Sequence, residues 1–147
     1  MSLAEKLYRI GELAKISNVS QRTIDYYTKL GLIDPDKRSD KNYRYYSDET
    51  LSRLKRIDTM KKEKYSLEEI KSTFEQWDRV SHDIEVTDKL TALQLHLHQL
   101  EKEVKELSPL FDQLRPNQVK MAFKIITPQS AACIEALLLL LGKGPLL

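Results

Sequence analysis

The chain has 147 residues, a length that fits one compact domain, or a small domain joined to an oligomerisation element, and is short for an enzyme with two lobes. Its formal charge of +2, with 31% charged residues, is too balanced to announce a nucleic-acid partner by itself. A single cysteine, Cys133, excludes an internal disulfide framework and any cysteine-pair metal site within one chain, which fits a reducing compartment.

In chain order, Tyr8 to Ser17 reads as a short helix, with Ile10, Leu13, Ala14 and Ser17 at helical spacing and Glu12 and Lys15 turned outward. Asn18 suits the tight turn that follows. Ser20 is a good N-cap for a second helix, which Gly31 should end as a C-terminal glycine. Two short helices about a three-residue turn make a helix-turn-helix. At about 100° per residue, Ile24, Tyr27, Thr28 and Gly31 share the packing side of the second helix, while Arg22, Asp25, Tyr26 and Lys29 share the outer side. After Pro35, the polar turn Ser39 to Asn42 leads into aromatic, strand-favouring residues, so a β-hairpin wing is expected.

Ser47 should cap a third helix with the apolar stripe Leu51, Leu54, Ile57 and Met60, reaching Lys61. Ser66 to Glu69, "SLEE", is a capping box opening a fourth helix, whose buried stripe is Leu67, Ile70, Phe74 and Trp77. From Val86 a heptad takes over: Val86, Leu90, Leu93, Leu97, Leu100, Val104, Leu107, Phe111 and Leu114 alternate spacings of four and three. A long helix with such a seam has no use for it in a small domain unless a second chain supplies the partner, so Leu90, Leu93, Leu97, Leu100, Val104 and Leu107 are read as a dimerisation seam. Pro109 should end or kink this helix near Ser108. A last helix is expected to be capped by Thr127, with Pro128 at its first position and Gly142 at its end, and with Ala131, Ile134, Leu137, Leu138 and Leu141 on a packing face. No charged leader with an apolar core opens the sequence, and the most apolar run, Ile134 to Gly142, falls far short of the roughly 20 residues of a membrane span, so a cytoplasmic protein without a membrane partner is expected.

The charge distribution says more than its sum. Residues 1–77 hold 16 Lys+Arg against 13 Asp+Glu, and residues 78–147 hold 8 against 9. The bases cluster in Lys37 to Arg44 and in Arg53 to Lys64. Arg22, Tyr26 and Lys29 are spaced to meet DNA along one helix face; Arg38, Lys41 and Arg44 would do so from the wing, and Lys61 from the end of the third helix. Two such units in a dimer would read a near-palindrome, with the wing bases supplying affinity and salt dependence rather than sequence choice.

The segments "YRIGELAKISNVSQRTIDYYTKLGLI", "NYRYYS" and "MKKEKYSLEEI", in this order and followed by a long heptad helix, resemble the MerR family of bacterial transcription regulators. The resemblance covers roughly the first half of the chain. It implies a mainly α fold: a winged helix-turn-helix domain over 1–78, an antiparallel dimerisation coiled coil over 84–108, and a short C-terminal sensor or packing region over 109–147. It further implies a homodimer on double-stranded promoter DNA, bent and untwisted so that RNA polymerase can use both promoter elements in response to a small-molecule or protein effector. Matched position by position, the implied DNA contacts are Arg22, Tyr26, Tyr27, Tyr43, Arg44 and Lys61.

The sequence departs from the family pattern twice. Asp25 stands where many members carry arginine; it is read either as a helix partner for Lys29, worth about 0.2–0.5 kcal/mol in an isolated helix, or as an acceptor for a cytosine amine in the major groove. Metal-sensing members place a cysteine pair after the long helix, whereas Leu107 to Lys124 holds none. His96 and His98, two apart on a helix, cannot share one ion, His82 is read as a surface residue, and Cys133 reads as a small core residue, so no metal site or cofactor is expected. No glycine-rich phosphate loop or nucleophile elbow is present, which leaves no basis for an enzyme. Two alternatives stand beside the regulator: an architectural or anchoring DNA-binding protein, and a regulator controlled by a protein partner docking on the C-terminal helix.

Overall fold

The computed structural model describes residues 6–142; the ends of the N-terminal and C-terminal regions, 1–5 and 143–147, lie outside the described residues. The chain divides into two compact units, 1–98 and 99–147.

In the first unit a three-stranded antiparallel sheet, β1 (Tyr8–Arg9), β2 (Lys37–Arg38) and β3 (Arg44–Tyr46), has the order β1-β3-β2. Around it stand helices α1 (Ile10–Ser17), α2 (Gln21–Leu30), α3 (Asp48–Lys62), α4 (Leu67–Val80) and the start of α5 (Ile84–Phe111). The first helix is shorter than its apolar spacing suggests. Tyr8 and Arg9 leave it to pair with Tyr46 and Tyr45, and α1 starts after the extended Arg9, whose amide donates to Glu12 Oε1 at 3.5 Å.

Local signals explain the turns. Asn18 takes the left-handed conformation at φ 56°, and Val19 N–H bonds back to Ala14. Ser20 Oγ accepts from the Thr23 amide at 3.1 Å, and Gly31, at φ 79°, closes α2 with amide bonds to Thr28 and Tyr27. The β2–β3 hairpin turns through Ser39 to Asn42, with Asn42 at φ 65° and Ser39 N–H donating to Tyr43 O at 2.8 Å. Ser66 and Glu69 form the reciprocal capping box of α4. Ser47 occupies the N-cap position of α3, but its hydroxyl accepts from none of that helix's amides, so it caps by backbone alone.

The core joins Tyr8, Leu13, Ile24, Tyr27, Leu32 and Ile33 to Tyr46, Leu54, Ile57, Met60, Ile70 and Phe74. Tyr8 Oη donates to Asp48 Oδ1 at 2.8 Å, tying β1 to the start of α3 and raising the phenol's pKa because the neighbouring carboxylate holds the proton in place. The α3 bases divide. Arg53 Nη2 reaches both oxygens of Asp78 on α4 at 2.6 and 2.7 Å, and Arg56 pairs with Asp88 on α5 and donates to Thr87 Oγ1 at 2.8 Å. Both guanidinium groups lie over the Phe74 ring. These two members of the Arg53–Lys64 cluster therefore serve the interior joint of the head.

The beginning of α5 has two faces. Thr87 and Thr91 are buried and Leu95 packs on the core, while Trp77 Nε1 donates to Gln94 Oε1 at 3.1 Å. Val86, Leu93 and Leu97 point to solvent on another side.

In the second unit Pro109 lies inside α5, which runs on to Phe111 instead of ending near Ser108. Lys105, whose carbonyl loses the amide that Pro109 lacks, is exposed, so water can satisfy it. The last helix, α6 (Pro116–Gly142), also differs from expectation: Thr127 and Pro128 are inside it. Its start is set by Pro116 at the first position and by Gln118, whose Oε1 accepts from the Arg115 amide at 2.8 Å. Thr127 turns back to the Phe123 carbonyl, a bond that an N-capping hydroxyl would not make. Phe111 and Phe123 meet edge to face, with centroids 6.2 Å apart. None of α6 is buried. The expected packing face is thus unpacked within its chain, and Cys133 is exposed rather than in a core. With 27 residues and a mean hydropathy of 1.7 over its most apolar window, α6 is long and apolar enough to cross a membrane by length and composition, which the short run Ile134 to Gly142 alone did not suggest.

Candidate nucleic-acid interface

The second helix of the helix-turn-helix carries the site because its inner side is fixed. Ile24 is fully buried and Tyr27 is 6% exposed, so the opposite side, with Arg22, Tyr26 and Lys29, must face out. Tyr26 is 52% exposed. The paired tyrosines divide as the helical spacing indicates: Tyr26 is available to a ligand, whereas Tyr27 packs inward with only its hydroxyl near Lys61 Nζ, at 3.5 Å.

The wing stands beside this face. Tyr43, Lys41 and Arg38 are exposed, and Arg38 Nη1 donates to Asn42 Oδ1 at 3.2 Å, which stiffens the hairpin turn. Arg44 reaches from β3 to α2, where its Nη2 lies 2.6 Å from Asp25 Oδ1. Asp25 Oδ2 takes Lys29 Nζ at 3.0 Å. Lys29 first and Arg44 second hold the Asp25 carboxyl below its ordinary pKa. The helix pairing expected of Asp25 is present, and a second cation from the wing joins it.

Sequence reading missed Arg9. Its guanidinium lies over the rings of Tyr43 and Tyr45, at 5.6 and 5.8 Å from their centroids, and donates to Tyr45 Oη at 3.4 Å. The signal was the β-prone Tyr8-Arg9 pair ahead of α1, whose strand partner lies far along the chain. Arg9, Lys15, Gln21, Tyr43 and Arg44 line an open concavity of about 640 Å³ between α1, α2 and the wing. A basic, aromatic-rimmed hollow beside an exposed helix face suits a sugar-phosphate backbone, with the helix left to meet base edges.

The heptad residues carry a second surface. Leu93, Leu97, Leu100, Val104 and Leu107 are exposed along α5, and Leu90 is half-buried. Among the described residues no group of three or more His, Cys, Asp and Glu side chains could hold a metal ion. His82, His96 and His98 are exposed, and the His98 ring meets that of Tyr65 at a tilt, with centroids 5.3 Å apart.

Residues 8–77 match the family model described as MerR HTH family regulatory protein. The chain is 34% identical over 135 residues to the HTH-type transcriptional regulator CueR of Bacillus subtilis (strain 168), covering 92% of each chain. It is 46% identical over 63 residues to the mercuric resistance operon regulatory protein of Bacillus cereus, covering 43% of this chain and 48% of that protein. Among solved structures, HiNmlR, a MerR family regulator lacking the sensor domain and bound to promoter DNA, superposes with a TM-score of 0.51 at 22% identity over 84% of this chain and 94% of that one, a likeness of fold. The fold, the exposed face of α2 beside a wing and the full-length relative agree: the chain belongs to the MerR family and is a DNA-binding transcription regulator.

Proposed function

We propose that the chain binds a near-palindromic promoter site as a homodimer and regulates transcription by distorting that DNA, without catalysing a reaction. The observation that carries this reading is the outward face of α2, with Arg22 and Tyr26 free to solvent, standing beside the basic wing. Arg22 and Tyr26 meet the major groove, and Lys29, Arg38, Lys41, Tyr43 and Arg44 contact the flanking backbone, joined by Arg9. Lys61 adds a phosphate contact from the end of α3, with Tyr27 beneath it. The work divides among residues 1–78 for DNA, 84–108 for pairing, and 109–147 for sensing or packing.

The unpartnered seam of α5 supports pairing, since exposed leucines in this register gain by meeting a second copy. Nuclease protection at physiological salt tests the whole reading: a protected palindrome is expected, and binding with no preference over bulk DNA would overturn it. Leu97→Asp should leave a monomer in sedimentation and weaken operator binding, whereas a variant that remains dimeric would remove the seam from the reading.

The exposed apolar surface of α6 favours a second role, the docking of a protein that controls the regulator, because patches beyond a few hundred Å² mark interaction sites. A lipid occupant is less suited: Glu135 would sit in the middle of the apolar stretch, where a charge is costly. In that reading the protein works in the cytoplasm. Recovery of the chain with floated phosphatidylglycerol vesicles would reverse this choice.

A further inference from the structure

Asp25 is the only acidic residue of α2, and it stands on the side of the helix assigned to DNA. Its two oxygens are divided between two cations of the same surface. Oδ1 takes Arg44 of the wing at 2.6 Å, and Oδ2 takes Lys29 at 3.0 Å. Arg44 is held closely, its side chain 21% exposed, while Lys29 is 74% exposed and Asp25 35%.

An aspartate that accepts from an arginine and a lysine offers what a DNA phosphate offers: a compact anion with two oxygens directed at the donors. We propose that Asp25 is an internal stand-in for a backbone phosphate, holding Arg44 and Lys29 in the DNA-free protein and yielding them when the duplex arrives. The inference rests on the DNA-binding reading and deepens it. Each contact by these cations is then an exchange of one anion for another, so its contribution to affinity is small on any sequence. The operator must supply its preference through the contacts outside this exchange, those of Arg22 and Tyr26. Asp25 is a positioning residue in this scheme; it reads no base.

The geometry also sets what DNA binding must do to the wing. Arg44 Nη2 cannot serve a phosphate while it keeps its 2.6 Å bond to Asp25, so docking opens that one tie between wing and helix, while the hydroxyls of Thr28 and Tyr46, 2.9 Å apart, keep β3 on α2. One carboxylate is left uncovered beside the duplex, where it attracts a cation from solution and cancels part of the counterion release that phosphate contacts otherwise give.

The test compares the wild-type chain with Asp25→Asn, Arg44→Gln and the double variant, on the protected operator and on an unrelated duplex of equal length, across a salt series. Asp25→Asn keeps the shape and removes the charge. It should tighten binding to both duplexes by a similar factor and steepen the slope of log K against log salt by about 0.9, so that its gain shrinks roughly threefold to fourfold between 50 and 200 mM salt. In the Arg44→Gln background that gain should fall. The Nη2–H signals of Arg44, the donors of the tie, should be protected from exchange in the DNA-free wild type and lose that protection in Asp25→Asn, which reports on the tie without DNA. Weaker binding by Asp25→Asn would make the acid a structural brace and overturn the proposal. A changed preference at one base pair would make it a reader of sequence and overturn it equally. A wild-type chain that binds neither duplex would instead overturn the DNA-binding reading, and this inference with it.

Discussion

Arg53 on α3 and Asp78 on α4 form a closed pair in which one guanidinium nitrogen lies 2.6 and 2.7 Å from the two carboxylate oxygens, with the guanidinium resting over Phe74. Arg53 is mostly covered, so the pair replaces water that the guanidinium has largely lost. Glu49, at 3.9 Å, is too distant to take over. Asp78→Asn should therefore lower the free energy of unfolding by about 1 kcal/mol, a modest figure because Asp78 is itself partly open to solvent. Urea denaturation at one fixed protein concentration measures it, and an unchanged midpoint would mean that the ring contact alone holds Arg53.

Gly31 closes the recognition helix at φ 79°, a conformation that a residue with a Cβ adopts at a cost. The added methyl of Gly31→Ala would meet only the flexible end of Lys71, 3.3 Å away, so the penalty is in the backbone. A loss of about 1–2 kcal/mol is expected, seen as a lower Tm by circular dichroism. Lys71→Ala in the same background should not restore it; recovery would place the strain in the side chain.

The two tyrosines of α2 should separate cleanly in function. Tyr26→Ala should weaken operator binding about tenfold while leaving the unfolding midpoint within experimental error, the cost in contact energy being about 1.4 kcal/mol. Tyr27→Ala should do the reverse and destabilise the head by about 3–5 kcal/mol, because a ring in the core leaves a cavity. Paired titration and melting curves decide the matter, and a stable Tyr27→Ala that has lost DNA would place that ring in the interface.

The acid on α2 has a defined pH behaviour. Its folded-state pKa lies below the ordinary value of 3.8, so as pH falls the unfolded chain takes up the proton first. The stabilising contribution is complete above that value and is lost as pH drops through the lower folded-state value. The carboxyl carbon shift of Asp25, followed by nuclear magnetic resonance, should titrate below 3.8 and move upward in Lys29→Ala. A midpoint at or above 3.8 in the native chain would mean that neither cation holds it in solution.

Much of this was legible in the sequence wherever the signal was local. Ser20, Asn18, Gly31 and the Ser66–Glu69 box act within a few residues, so their chemistry could be read without knowing the rest of the fold. The packing side of α2 followed from the spacing of Ile24 and Tyr27. What failed depended on partners distant in sequence or on competition between two local signals. Tyr8 and Arg9 carry helical spacing but are drawn into a strand by Tyr45 and Tyr46. Arg53 and Arg56 look like a surface cluster until Asp78 and Asp88 are brought beside them. Thr127-Pro128 is a good helix start that loses to an earlier one at Arg115-Pro116, because nothing between the two interrupts the helix. The wing's hold on Asp25 was invisible for the same reason as Arg9: both bonds join residues far apart in the chain, β1 to β3 in one case and β3 to α2 in the other.

On the pairing proposed for the outer row of α5, the dimer's geometry becomes a matter of counting residues. Thr87, Thr91 and Leu95 fix the helix on its head, and beyond them the exposed row runs on through Leu97, Leu100, Val104 and Leu107. Every residue inserted between the grip and the outer row turns one relative to the other by about 100°. A chain with one extra alanine after Leu95 could therefore still pair with its twin while its heads faced away from a common groove. With four extra residues the phase would nearly return and the heads would sit about 6 Å further out. The spacing of half-sites that this regulator accepts is thus written in helical phase as much as in any side chain that touches DNA.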